Sequence, residues 1–345
     1  MSEGDYAIET VRGGLAGERA EEVMSFWKSQ GALDEATAAK RLTEVLCLLR
    51  GPGGEIAGVN SAYPKSVALV GGREFWVYRS RLDPSVPREA GDRMIAAAFE
   101  ELEAGFDPSA PGPIGLCLLI SDPAEIARRP EAEWRDPRIL YAGYLADGSQ
   151  VRVGYFEGAK IHPGIESAAG GMADLDPELA PGYRIALFAE TESVGAKDVL
   201  DLWAREGAVP GAEAQRRVGE VLLVALDGRD NLVGLSSAYL RHNEQLGMDL
   251  WYYRAFVSAA HRKSNLAVQL ALKGRDHLQQ RWVDGADRRA AGLVYEVENE
   301  GLKRYFNDAV WFPTDVIFIG ENPRGDHVRV RYHPGATAPP PPSQR

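Results

Sequence analysis

Val23-Met24-Ser25-Phe26-Trp27 returns as Val199-Leu200-Asp201-Leu202-Trp203, the same apolar spacing closed by the same Trp at a shift of 176 residues. The shift persists down the chain. Gly31 meets Gly207, Arg41 meets Arg217, Glu44-Val45-Leu46 meets Glu220-Val221-Leu222, Gly58 meets Gly234, and Ser61-Ala62-Tyr63 meets Ser237-Ala238-Tyr239. After one deletion the shift is 175, pairing Trp76, Tyr78 and Arg79 with Trp251, Tyr253 and Arg254. It then becomes 177, pairing Gly115-Leu116 with Gly292-Leu293, Trp134 with Trp311, and Val151-Arg152-Val153 with Val328-Arg329-Val330. A ladder of this length marks an internal duplication, and 345 residues are in any case more than one hydrophobic core usually organises. The expected division is 1–158 and 183–334, joined by a Gly-, Ala- and Pro-rich linker at 159–182 and followed by a disordered Pro-rich tail at 335–345. The repeated Trp, Gly and Tyr positions read as core and turns, so the repeat speaks to fold before chemistry.

Composition narrows the function classes. At 45% hydrophobic and 26% charged the chain is globular, and no eighteen apolar residues run together, so no membrane span is expected. A net charge of −11 offers no diffuse positive field to a phosphate backbone, which disfavours nucleic-acid partners. Cys47 and Cys117 each lie in an apolar run and read as buried thiols. With an N-terminus, Met1 to Asp5, that has neither a basic start nor an apolar stretch, they point to a reducing, cytoplasmic location. No His or Cys cluster has metal spacing, and no metal is expected.

Periodicity orders the second copy. A short strand at Tyr183–Phe188 precedes a helix at Ala196–Glu206 and a further helical stretch. Strands follow at Val221–Leu226 and Leu232–Tyr239, separated by Asp227-Gly228-Arg229-Asp230-Asn231, whose Asp-Gly signals a hairpin. An aromatic strand, Asp249–Val257, leads through a polar loop into a helix at Leu266–Arg281 with Leu266, Leu270, Ala271, Gly274 and Leu278 on one face. Strand Gly292–Glu298, helix Glu300–Asn307 and a strand pair at Asp315–Ile319 and Val328–Tyr332 complete the copy.

This order resembles that of the Gcn5-related N-acetyltransferase (GNAT) family over nearly all of both copies. The resemblance implies an α/β (α+β) fold of two tandem domains, each a mixed, mainly antiparallel sheet flanked by helices. It implies an acyl-CoA-dependent N-acyltransferase, with acetyl-CoA or another acyl-CoA as co-substrate and a small-molecule or peptide amine as acceptor. In that family a (Gln or Arg)-x-x-Gly-x-(Gly or Ala) loop follows the fourth strand, and its N–H groups at a helix start hold the CoA pyrophosphate, as the unpaired donors and dipole of a helix N-terminus do for anions generally. Arg262-Lys263-Ser264-Asn265-Leu266-Ala267 is similar to that motif and begins five residues after Val257. Asn265 replaces the first Gly, and Asn is the side chain that best tolerates positive φ after Gly. Phe256 and Val257 at the strand end belong to the implied cofactor-binding set. So does Asn299, standing where the family's Asn starts the next helix and contacts the pantetheine arm.

The implied chemistry is direct attack of a neutral amine on the thioester. The family places a Tyr about seven residues beyond that Asn to protonate the departing thiolate; here the seventh position is Phe306, and Tyr305, one earlier, is the expected acid. Glu296, or else Glu298 or Asp249, is expected to relay the ammonium proton, and period-two alternation puts Glu296 and Glu298 on one face. His242 and His261 read as solvated loop residues. The first copy offers Arg88-Glu89-Ala90-Gly91-Asp92-Arg93 as its loop, with two acids where phosphates would approach and no equivalent Tyr after Ser121-Asp122-Pro123. It is therefore expected to be degenerate, with chemistry in the second copy. Two alternatives share the tandem plan: aminoacyl transfer from charged tRNA of the Fem-like type, which needs a basic groove, and a non-catalytic ligand-binding protein.

Overall fold

The computed structural model describes residues 6–11, 15–31, 33–162, 180–262, 264–305 and 307–342. They fall into two compact units, whose described parts are 6–11, 15–31, 33–162 and 340–342 for the first and 180–262, 264–305 and 307–339 for the second. Among these residues no helix is long and apolar enough to cross a membrane.

The first unit runs β1 (Ala7–Thr10), α1 (Glu18–Ser29), α2 (Glu35–Arg41), β2 (Val45–Arg50), β3 (Ile56–Val67), β4 (Arg73–Leu82), α3 (Arg88–Ala104), β5 (Gly115–Ile120), α4 (Pro123–Arg128), β6 (Glu133–Trp134), β7 (Ile139–Tyr144) and β8 (Gln150–Tyr155). The second repeats it: β9 (Arg184–Leu187), α5 (Ala196–Glu206), α6 (Gly211–Arg217), β10 (Val221–Leu226), β11 (Leu232–Asn243), β12 (Met248–Val257), α7 (Leu266–Val283), β13 (Gly292–Val297), α8 (Glu300–Tyr305), β14 (Val310–Trp311), β15 (Val316–Glu321) and β16 (His327–Tyr332). Each unit is one eight-stranded sheet, ordered β1-β2-β3-β4-β5-β8-β7-β6 and, read from the other edge, β9-β10-β11-β12-β13-β16-β15-β14. Among the described pairs only β4–β5 and β12–β13 are parallel. The expected α/β class, with mixed and mainly antiparallel sheets flanked by helices, is what the chain forms in both units.

The repeated opening motif explains one helical layer. Val199, Leu202 and Trp203 of α5 are buried against Val224, Leu226 and Leu235, as Val23, Phe26 and Trp27 of α1 are against Leu48 and Val59. Burying each of these side chains is worth about 1.5–3 kcal/mol, so the motif holds each helix pair to its sheet. Helix α5 stops at Gly207, whose φ of 62° is the left-handed cap that favours Gly. On the opposite face α7 buries Leu266 and Leu270 against Leu223, Ala225 and Val257. Its Gly274 is required by packing, since a Cβ there would lie 2.4 Å from Cε2 of Tyr253.

Several boundaries move. Strand β11 continues to Asn243 and α7 to Val283, while α8 ends at Tyr305 and β15 begins after Asp315, whose φ is 61°. In the β10–β11 hairpin the left-handed residue is Asp230, not Gly228, because the Asp227 carboxylate accepts the N–H groups of Arg229 and Asn231 and sets the turn. The two-residue strands β6 and β14 were not legible beforehand. The largest correction concerns Arg88–Arg93: these residues are not a strand-to-helix loop but the first turns of α3, which starts directly after Pro87. Core packing fixes the register, since Ala90 and Met94 fill the places of Leu266 and Leu270. Cys47 and Cys117 are free and buried, and burial pushes their thiols up to about 11 and about 12. Ala336, in the stretch expected as a tail, is buried.

Candidate functional site

The second unit opens where its two parallel strands part. β12 and β13 pair only at Trp251↔Leu293 and Tyr252↔Val294, although both strands run on. Ala291 N–H donates to Asp249 O on the β13 side and Ser258 N–H donates to Val233 O on the β11 side. Backbone direction alternates along a strand, so the N–H and C=O groups of Tyr253, Ala255 and Val257 face the opening. A cavity of about 730 Å³ occupies it, lined by Val268 and Ala271 from the α7 face and by Arg217, Tyr239 and Arg254 from the other. Of the two expected strand residues, Val257 turns its backbone to the β13 side, where Arg262 Nε takes its carbonyl, and it does not line the cavity. Phe256 turns its backbone to β11 and packs its ring toward α5.

Helix α7 points its N-terminus at this cavity. Asn265, which lines it, is the cap residue at φ 60°, the left-handed conformation that its place in the motif required, and makes no side-chain capping bond. The first intrahelical bond runs from Gln269 N–H to Asn265 O, leaving the N–H groups of Leu266, Ala267 and Val268 without helical acceptors. Leu266 anchors the helix start in the core, while Ala267 is small and exposed at the cavity. Ser264 Oγ donates to His261 O, and Arg262 Nε donates to Val257 O at 3.3 Å, so the loop is tied to the strand it leaves. Lys263 lies outside the described residues.

At the other wall Asn299 lines the cavity, but its Oδ1 accepts Leu302 N–H at 3.0 Å, so it caps α8. Lys303, buried, fixes that short helix by donating to Gly325 O at 2.7 Å and to Glu300 at 2.6 Å. Tyr305 closes α8; its side chain, like the whole of Phe306, lies outside what is described. Glu296 and Glu298 share the sheet face away from α7, as alternation predicted, and both pair with Arg324, at 3.5 and 3.4 Å. Glu296 is the enclosed one, with a side chain 18% exposed against 70%. Asp249 sits at the paired end of β12, bound to His242 at 2.9 Å and off the cavity, which removes it as a proton relay. His261 is held by Tyr183 Oη at 2.9 Å.

Sequence reasoning missed one wall. Tyr239 and Tyr252 lie 5.5 Å apart, and Arg254 lies over the Tyr239 ring at 4.2 Å. Arg217, Tyr239 and Arg254 were visible as repeated positions, but the repeated Tyr read as core and the two Arg carried no site reading. Burial raises the Tyr252 phenol, and raises Tyr253 further, whose hydroxyl donates to Leu270 O. Tyr295 is likewise pushed up by burial.

The first unit differs at the same place. β4 and β5 pair at three positions, one more than β12 and β13, before they too part, and five residues (83–87), not eight, link β4 to α3. The cleft there measures about 290 Å³, and Asp92 and Ile95 line it where the second unit has Val268 and Ala271. Arg129 pairs with Asp92 and with Glu125 at 3.1 Å and lies 4.7 Å over Trp134. Burial and the neighbouring Arg88 lower its guanidinium to about 10.

No family model matches the chain, and no curated protein matches it. Solved structures similar to it include a GNAT-family acetyltransferase of Streptococcus pneumoniae, 11% identical with a TM-score of 0.31, covering 44% of this chain and 99% of that one. A GNAT-family N-acetyltransferase of Escherichia coli solved with CoA is 20% identical with a TM-score of 0.28, over 46% and 84% of the two chains. A GCN5-related N-acetyltransferase of Sphaerobacter thermophilus covers 78% of this chain and 81% of its own, at 12% identity and a TM-score of 0.24. The strand order and the parting of β12 from β13 are what define the fold.

Proposed function

We propose that the second unit is an acyl-CoA-dependent N-acyltransferase acting on an amine of a small molecule or peptide, and that the first unit is a degenerate copy. One observation carries the reading: a cavity runs between two parted parallel strands, with a helix N-terminus at its edge whose cap residue Asn265 makes no side-chain capping bond. The donors fit the group. Three helix-terminal N–H groups beside Arg262 suit a pyrophosphate, and Ala267 leaves room for close approach. The outward backbone groups of Tyr253 and Ala255 offer the donors and acceptors that an extended pantetheine arm needs.

Bound there, an acyl-CoA would supply a thioester carbonyl. Glu296 takes the proton that the acceptor ammonium must lose, and the neutral nitrogen forms the new C–N bond as the C–S bond breaks. A cavity-facing N–H of β12 stabilises the oxygen charge, and Tyr305 returns one proton to sulfur, so an ammonium and a thioester leave as an amide, a thiol and one released proton. In the first unit the Asp92–Arg129 pair and the small cleft disfavour a pyrophosphate. Calorimetric titration of acetyl-CoA into the wild type and Asn265→Asp tests the reading. A carboxylate at that cap should weaken binding at least tenfold; equal affinity, or no binding to the wild type, would remove the site.

A further inference from the structure

The cavity wall away from α7 has a chemistry that acyl-CoA binding does not use. It brings Arg217, at the end of α6, and Arg254 of β12 beside Tyr239, Tyr252 and Glu296. Arg254 is engaged: its Nη2 donates to Tyr239 Oη at 2.8 Å and its Nη1 lies 3.6 Å from Glu220. The same trio recurs in the first unit as Arg79 over the Tyr63 ring and paired to Glu44, so it is a brace common to both sheets. Glu296 is shared with Arg324 and Asn322. Arg217 recurs as well, as Arg41, but it is less engaged. Its Nε donates to Glu213, and among the described residues no acceptor takes its two terminal amino groups, although the side chain is only 26% exposed.

A half-enclosed guanidinium with open donors beside an aromatic wall is suited to a planar carboxylate, which it can bind through two parallel hydrogen bonds. We infer that the acceptor is an amine that also carries a carboxylate, an amino acid or a close analogue of one. Its carboxylate sits at Arg217 with Arg254 behind it, its apolar part lies against Tyr239 and Tyr252, and its nitrogen is presented to Glu296. This rests on the acyltransferase reading and names the substrate class of that site.

The test pairs amines that differ only in the carboxylate: L-tyrosine with tyramine and L-phenylalanine with phenethylamine, along with the remaining common amino acids, each followed by thiol release at saturating acetyl-CoA. The carboxylate-bearing member should lead by roughly 10- to 100-fold in kcat/KM, the range expected for a charged hydrogen-bonded pair. Arg217→Gln should abolish that lead, Arg217→Lys should restore part of it, and Glu213→Gln should keep it. Equal or better turnover of tyramine, or a lead that survives Arg217→Gln, would overturn the inference. Acetyl-CoA that binds by calorimetry while no carboxylate-bearing amine is turned over would overturn the acceptor assignment alone. Failure of acetyl-CoA to bind would overturn the acyltransferase reading beneath it.

Discussion

Gly274→Ala sets two opposing effects against each other in the helix that frames the cavity. In an exposed helix the change would stabilise by about 1 kcal/mol. Here the new Cβ would lie 2.4 Å from Cε2, 2.7 Å from the hydroxyl oxygen and 2.8 Å from Cζ of Tyr253. Carbon atoms settle near 3.5–4.0 Å apart, so the ring would have to retreat by more than about 1 Å. It has little freedom: Tyr253 is 4% exposed, donates to Leu270 O and packs 5.2 Å from the Tyr295 ring. Overpacking costs about 1–3 kcal/mol, and a buried hydroxyl bond broken by the retreat costs about 1–3 kcal/mol more. Net of the helix gain of about 1 kcal/mol, the second unit should lose about 1–5 kcal/mol. In a calorimetric scan that resolves two unit transitions, the one assigned to the second unit should fall by about 2–4 °C per kcal/mol. In a Tyr253→Leu background the same change should cost far less, because the two positions are in contact. A transition unchanged or raised by Gly274→Ala would refute the packing described.

Other consequences can be measured separately. Burial holds His333 at about 4, below the ordinary 6.5, so the unfolded chain binds its proton first; this contribution is complete above pH 6.5 and is lost as pH falls towards 4, on the order of 3 kcal/mol in all, and His333→Phe should flatten urea-derived stability across that window. Tyr305→Phe should lower turnover roughly 10²–10⁴-fold with CoA affinity unchanged, and activity within about twofold of wild type would leave protonation of the thiolate to solvent. Asn265→Val should destabilise by about 1–2 kcal/mol, since a branched side chain resists φ 60°, whereas Asn265→Gly should be tolerated; equal melting of the two would contradict the left-handed cap.

Much of this fold could be read from the chain because the duplication supplied each pattern twice. The apolar spacing of Val199, Leu202 and Trp203 marked α5 directly, and Asp-Gly located the β10–β11 hairpin, although Asp227 and Asp230 set its turn. The Asn at the start of α7 was legible because so few residues accept its backbone conformation. What could not be read depends on tertiary placement. Nothing local distinguishes Arg88–Arg93 as helix from the same residues as loop; that register is set by Ala90 and Met94 reaching Cys47 and Leu49 across the core. The parting of β12 from β13 leaves no mark in a sequence of uninterrupted strand formers, so the cavity, and Arg217 and Tyr239 on its wall, became visible only in three dimensions. Asp249 was indistinguishable from Glu296 as a base until strand pairing put it at the closed end.

The central claim, that the second unit binds acyl-CoA between β12 and β13, is tested most directly by amide hydrogen exchange of the whole chain with and without CoA. Slowed exchange should be confined to the outward amides of 253–257 and to the start of α7 at 266–268. Slowed exchange at 83–93 of the first unit, or unchanged exchange throughout at saturating CoA, would contradict it.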